Sequence, residues 1–305
     1  MTRPDGSHSA CIADGTGGCG YYSAFVAHMV CRYFLKTVSD EPMWFTDDTK
    51  RNKIVAESKF LDCAFDAHIR TPSSLHGEST ALFVDCVPAE RKNGKQMYRL
   101  QVASIGDCAA FRIDAQEKRA TQLNTIHREE IKGEISSGGV IVSSGDLYNE
   151  KNAVTAIAEA AEDDCIVLVT DGFFDNAEEG KVIETVELVA FHPFFDRPIE
   201  QLLECSRFWE QSYSATLPTL DTVKTVISEN APDLTLDEEM PTPAQITKRL
   251  AAYIRFVTHS RSAEEEAYYK TIPQSQFNGT SWSGYNGVPP KTDDYMIITM
   301  KPGAR

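Results

Sequence analysis

Apolar and polar positions along this chain recur in two rhythms, one that marks strands and one that marks helices. Residues 9–13 (Ser-Ala-Cys-Ile-Ala) read as a short strand that runs into Asp14-Gly15-Thr16-Gly17-Gly18. From Tyr21 to Val38 the apolar positions Phe25, Val26, Met29, Val30, Tyr33 and Phe34 return at helical spacing. A second helix is predicted from about Lys53 to Ile69, with Val55, Phe60, Leu61, Ala64, Phe65 and His68 on its apolar side. After a polar break at Thr71-Pro72-Ser73-Ser74, strands are predicted at 79–87, 97–104 and 108–114. The first two are joined through Asn93-Gly94, a hairpin signal. Ile126 to Ser137 reads as a helix stopped by Gly138-Gly139, and no element is assigned between there and Cys165.

Cys165 to Thr170 has the character of a buried strand, and it stops at Asp171-Gly172. Residues 177–190 and 198–212 read as helices. The stretch 214–243 is rich in Thr, Pro and acid, as an insertion would be, with a helix near 219–229. A helix at 243–259 carries Ile246, Leu250, Tyr253, Ile254 and Val257 on one face. Residues 273–291 read as loop, and Tyr295 to Met300 as the final strand. Strands, helices and strands again indicate an α+β layered domain.

Composition narrows the function. The 305 residues are 42% hydrophobic and 25% charged, ordinary values for a soluble globular protein. No apolar run approaches the roughly 20 residues a membrane span needs. A net charge of −15 argues against a nucleic-acid binder, which needs a basic face. The same charge means that an anionic substrate must be gathered by something positive, and bound divalent cations would serve. The eight cysteines form no C-x-x-C pair and most sit among apolar neighbours, so reduced, buried thiols are expected. An intracellular, cytoplasmic monomer is the expectation. The first strand starts almost at once, so an upstream segment is expected to be missing, and a mitochondrial or plastid address stays open.

Acidic residues share one local design, an apolar strand with an Asp at its end. They are Asp14 after Cys11-Ile12-Ala13, Asp107 after Ala103-Ser104-Ile105-Gly106, Asp171 after Val167-Leu168-Val169-Thr170, and Asp293-Asp294 before Tyr295-Met296-Ile297-Ile298. Carboxylates at several strand ends can converge on one point, where they repel unless cations neutralise them. Hard oxygen donors suit Mg²⁺ or Mn²⁺, and the adjoining Gly15, Gly106 and Gly172 let backbone approach closely. Any one Asp-Gly taken alone is more often a turn.

These residues carry a resemblance. A-D-G-T-G-G, G-E-S-T-A-L, V-A-S-I-G-D-C, E-E-I-K-G-E-I-S-S-G-G, I-V-L-V-T-D-G-F-F-D-N and K-T-D-D-Y-M-I-I-T-M, in that order, resemble the type 2C metal-dependent protein phosphatases. Within that family the wording is most similar to the branch with mitochondrial and plastid members and bacterial sporulation phosphatases. The resemblance implies a four-layer α-β-β-α sandwich with two mostly antiparallel central sheets and a two-metal centre at one end. By position, Asp14 would bridge both metals, Gly15 would offer its carbonyl, and Asp171 and Asp293 would hold one metal. Asp107 and Asp175 would complete a looser third position. The implied reaction is hydrolysis of phosphoserine or phosphothreonine in a protein substrate by a metal-bridging hydroxide, with Asp14, Asp171 and Asp293 as the catalytic set.

The pattern departs from the family in three places. Thr16 stands where many relatives carry a histidine. Only Arg3 and Asp5 precede the first block, where relatives bring a phosphate-binding Arg and a Glu-Asp pair, and Asp5-Gly6 reads as a hairpin turn. The region of about 190–243 is longer than the core requires and is expected to form a flap or a surface elaboration. The alternative these departures raise is a pseudophosphatase that keeps the fold and binds a partner.

Overall fold

The computed structural model describes residues 1–15, 21–40, 45–70, 76–131, 134–149, 152–207, 218–271 and 295–303. It divides into two compact units, Met1–Asp171 with Met296–Arg305, and Gly172–Tyr295. Two antiparallel four-stranded sheets make the centre of the first unit. One has the order β1 (His8–Ile12), β3 (Ala81–Pro88), β4 (Met97–Ile105) and β11 (Val154–Ala161). The other has the order β13 (Ile297–Met300), β12 (Cys165–Val169), β5 (Ala109–Asp114) and β6 (Arg119–Gln122). A three-stranded sheet joins β10 (Asp146–Tyr148), β9 (Val140–Val142) and β2 (Glu78–Ser79), and β7 (Arg128–Ile131) pairs with β8 (Glu134–Ser137). This is the mixed α and antiparallel-β architecture expected.

The period-two rhythm of the strands explains the layering. Even-numbered Ile12, Leu82, Val84, Leu100 and Val102 meet Cys108, Ala110, Ile166 and Leu168 in a dry core between the two sheets. Their odd-numbered neighbours Cys11, Phe83, Ala103 and Ile105 face the other way. There they pack with Val26, Val30 and Phe34 of α1 (Tyr21–Asp40) and with Phe60, Cys63 and Ala64 of α2 (Thr49–Arg70). Phe34 stacks on Phe83 with ring centroids 5.3 Å apart.

The remaining helices form the second unit: α3 (Asp171–Phe174) leads into it, followed by α4 (Val182–Phe191), α5 (Ile199–Ser206), α6 (Leu220–Asn230) and α7 (Pro243–Thr271). Its core is aromatic. Phe194, Phe195, Phe256 and Tyr253 meet edge to face, at centroid distances of 5.3 to 6.1 Å. The stretch expected to be an insertion contributes buried Phe194, Phe195, Leu202, Leu220, Val223 and Val226, and Arg249 ties it down through Asp196 and Asp237.

Three expectations are corrected. Residues 126–137 are not a helix: β7 and β8 pair with Arg128 opposite Ser137 and Ile131 opposite Glu134. A glycine at 133 costs a helix interior about 1 kcal/mol, and the cross-strand ladder satisfies the same backbone groups. The segment left unassigned contains β11, paired with β4 from Val154 opposite Ser104 to Ala161 opposite Met97. On α2, Leu61 and Phe65 lie on the exposed side, because the sheet receives a face of small residues, Ala56, Ala64 and Ala67, around Phe60. The loop expected at 273–291 lies outside the described residues.

That last correction is testable by urea unfolding. Phe60 is fully buried and Phe65 is 60% exposed. Phe60→Ala should cost about 3–5 kcal/mol and Phe65→Ala no more than about 0.5 kcal/mol. Equal losses would place the helix face wrongly.

Candidate functional site

Three of the predicted acidic residues come from strand ends that the two sheet ladders bring to one edge. In the first sheet Ile12 lies opposite Leu82, and Ala81 opposite Ile105, so the chain past Ile12 and the chain past Ile105 flank the start of β3. In the second sheet Val169 lies opposite Ala109, which aligns the residues just after β12 with those just before β5. Asp14, Asp107 and Asp171 occupy those positions. All three fields are felt at the Cys108 thiol. Burial is the main cause that pushes this thiol far up, contact with the Thr80 hydroxyl opposes it, and the charges of Asp107, Asp14 and Asp171 add to the rise.

The backbone around these carboxylates is held tightly. The Asp14 carbonyl accepts from Thr80 N (2.8 Å) and from the Ser79 hydroxyl (2.9 Å). Gly15 forms a bridge with Ser79, and a Cβ on it would lie 2.6 Å from the Ser23 carbonyl carbon, so α1 can pack against this turn only because the side chain is missing. Gly106 has φ +95°, and a Cβ there would lie 2.5 Å from Thr80 Cγ2 and 2.8 Å from the Gly139 carbonyl oxygen. Its carbonyl accepts from His127 N (3.2 Å), and Gly138 N donates to the His127 carbonyl (2.8 Å), which sets the β7–β8 hairpin beside Asp107.

Two residues that sequence reasoning overlooked belong here. Arg128, the first residue of β7, places Nε 3.4 Å from Asp107 Oδ2. Buried Asn124 spans the Gly106-Asp107 turn: its Oδ1 accepts from Ala110 N (2.8 Å), and its Nδ2 donates to Ser104 Oγ (3.0 Å) and to the Cys108 carbonyl (2.9 Å). Nothing in Leu123-Asn124-Thr125 signals this role in advance.

The other expected residues divide. Asp175 follows α3 directly and belongs to the second unit. Asp293 and its neighbour Asp294 lie outside the described residues. Arg3 is buried and donates to Ser9 Oγ (3.0 Å) and Asp85 Oδ2 (3.0 Å), at the end of β1 away from Asp14. Asp5-Gly6 is the expected tight turn, with Gly6 at φ +82° and Arg3 N donating to the Ser7 carbonyl (2.9 Å). Among the described residues seven cysteines are free thiols, and five of them, Cys11, Cys63, Cys86, Cys108 and Cys165, are buried as expected.

Carboxylate and carbonyl oxygens at Asp14, Gly15, Asp107 and Asp171 fit a hard divalent cation in donor chemistry. Among the described residues no three His, Cys, Asp or Glu side chains close on a single point, so these donors alone do not complete a centre. No helix among the described residues is long and apolar enough to cross a membrane.

No protein-family model matches the chain, and no curated protein matches it. Among solved structures the chain is similar to the photosystem II phosphatase PBCP, at 16% identity over 96% of this chain and 90% of that one, with a TM-score of 0.46. It is also similar to a phosphatase from Toxoplasma gondii, at 14% identity over 68% and 74% of the two chains and a TM-score of 0.45. The Mycobacterium tuberculosis serine/threonine phosphatase PstP/Ppp follows at 15% identity over 61% and 80%, with a TM-score of 0.39. At such TM-scores the likeness carries no argument about activity, which has to rest on the chain's own residues.

Asn124 offers a direct check on the site's scaffold. Asn124→Ala strands buried partners at Ala110 N and the Cys108 carbonyl, each worth on the order of 1–3 kcal/mol. A fall in urea stability of at least about 2 kcal/mol is expected. A fall of less than about 0.5 kcal/mol would show that the turn holds itself.

Proposed function

We propose that this chain is a metal-dependent serine/threonine protein phosphatase that hydrolyses phosphomonoesters. The observation that supports the reading best is the register of the two sheets, which presents Asp14, Asp107 and Asp171 from neighbouring strand ends, with Thr80 at the start of β3 touching Cys108 beside Asp107 (3.2 Å). Carboxylates presented from neighbouring strand ends at the margin of an apolar core are hard oxygen donors of the kind divalent cations take. Asp14, the Gly15 carbonyl, Asp171 and Asp293 would hold two Mg²⁺ or Mn²⁺ ions; the family resemblance gives Asp107 and Asp175 to a looser third. Ions held there would supply an acidified water as the nucleophile and positive charge for the phosphoryl oxygens.

The chain's own part is positioning. Ser79 and Thr80 fix the Asp14 carbonyl, Asn124 fixes the approach to Asp107, and the end of β12 presents Asp171. No cysteine has an Arg six positions later, so a phosphocysteine route of the tyrosine-phosphatase kind is excluded. The substrate is a phosphorylated protein.

One observation favours a second reading, a catalytically impaired protein-binding module. Arg3, the early arginine, is committed to Asp85 and Ser9 and is not available to a phosphate at the Asp14 end.

The test is turnover of a phosphothreonine peptide with and without Mn²⁺. Metal-dependent hydrolysis that falls at least a hundredfold in Asp171→Asn is expected, which is about 2.7 kcal/mol of transition-state stabilisation. A folded wild type that leaves the peptide untouched under both conditions gives the second reading the field.

A further inference from the structure

Arg128 stands at a place where the sequence pattern led us to expect a cation. Its Nε lies 3.4 Å from Asp107 Oδ2, and the two side chains are only 23% and 5% exposed. The pair is held from the backbone side. His127 N is bonded to the Gly106 carbonyl, and Gly138 N to the His127 carbonyl, so the residues that flank Asp107 and Arg128 are fastened to each other. A Cβ on Gly138 would lie 2.8 Å from the His127 backbone, so the two backbones pack closely at that junction. Arg128 therefore faces a buried carboxylate from a hairpin whose base is hydrogen-bonded to the Gly106 turn.

The electrostatic consequence follows from which charges are close. Asp107 shares its surroundings with Asp14 and Asp171, since all three fields reach Cys108. An isolated carboxylate there would draw a cation from solution. A guanidinium at 3.4 Å already supplies one positive charge, and it cannot be titrated away at any physiological pH. A divalent ion arriving at Asp107 would have to displace that guanidinium or endure repulsion from it at a distance of a few ångströms.

We infer that Arg128 is the built-in counter-cation of Asp107, and that it takes the position which a third divalent ion would otherwise occupy. The inference rests on the cation-binding part of the proposed function and changes its count. The strand-end site runs on the ions held by Asp14 and Asp171, and Asp107 serves as the anchor of an arginine.

The experiment is a calorimetric Mn²⁺ titration of the full chain, with free Mn²⁺ counted independently by electron paramagnetic resonance. Thermal melting confirms that each variant is folded. Asp107→Asn, which leaves the Arg128 charge in place, should bind the same number of ions as wild type, with affinities equal or weaker. Arg128→Gln should bind one ion more, or bind its weakest ion at least tenfold tighter. Arg128→Gln/Asp107→Asn should return to the wild-type count, and Arg128→Lys, which keeps a positive charge, should match wild type. Loss of one ion in Asp107→Asn would overturn the inference and leave the phosphatase reading intact, as would an unchanged titration in folded Arg128→Gln. A wild type that binds no Mn²⁺ while Arg128→Gln binds one would support the inference and remove the metal-dependent reading. No binding in any variant would overturn both. If Arg128→Gln does not fold, the Asp107→Asn count decides.

Discussion

The close approach at Gly106 is the constraint on which the functional edge of this protein depends. At φ +95° its α-carbon sits within a Cβ's reach of the Thr80 side chain and the Gly139 carbonyl, and no other residue type fits both the dihedral and the space. Through that contact three segments become neighbours: the start of β3, the turn between β4 and β5, and the chain that leaves the β7–β8 hairpin. Thr80 in turn holds the Asp14 carbonyl through its backbone N–H. Two acidic residues far apart in sequence are thereby fixed by one glycine and the threonine it touches.

The core explains why the carboxylates lie where they do. Between the sheets the side chains are apolar, from Ile12 and Leu82 to Ile166 and Leu168, and a carboxylate among them would pay a large desolvation cost. The strand ends are the first places where the ladder releases the chain. An Asp just past the last apolar residue keeps its backbone ordered while its side chain meets water, ions or a guanidinium. Burial in the same place pushes the neighbouring Cys108 thiol far up and keeps it neutral and unreactive, so the acidic edge is not also a thiolate site.

How legible this was depends on the signal each residue carries. Strands β1, β3, β4, β5 and β12 could be read because Val, Ile, Leu and Phe alternate or run together and then stop at Asp and Gly. The same transition made Asp14, Asp107 and Asp171 readable. β11 could not be read, since all of Ala-Ile-Ala-Glu-Ala-Ala but the Ile are strong helix formers, and its strand state comes from eight residues of pairing with β4. Arg128 was hidden behind a mistaken helix over 126–137, because a helix period and a hairpin explain a short charged segment equally well until a partner strand is placed. Asn124 has no signal at all: its three hydrogen bonds join residues up to twenty positions away in sequence.

Arg3 and Arg128 each engage a buried carboxylate of the first unit, with different consequences for the site. Arg3 binds Asp85 and Ser9 at one end of the β1–β3 pair, while the Asp14 carbonyl is held by Ser79 and Thr80 at the other. Burial pushes the Asp85 carboxyl up, and the hydrogen bonds from Arg3 and Ser9 pull against that rise. A one-residue slip of β1 would send Ile12 into the helix-facing core and Cys11 into the space between the sheets, and it would turn Asp14 to the opposite face. β1 is short, only five residues, and its hydrophobic contrast alone is weak, with Ala10 and Cys11 on opposite faces. A buried, directional ion pair is intolerant of such a slip in a way that Ala and Cys are not, since the slip would leave both charges in apolar surroundings. Arg3 thus acts on the candidate site from its far end, by fixing the register that aims Asp14, whereas Arg128 acts on it directly through Asp107.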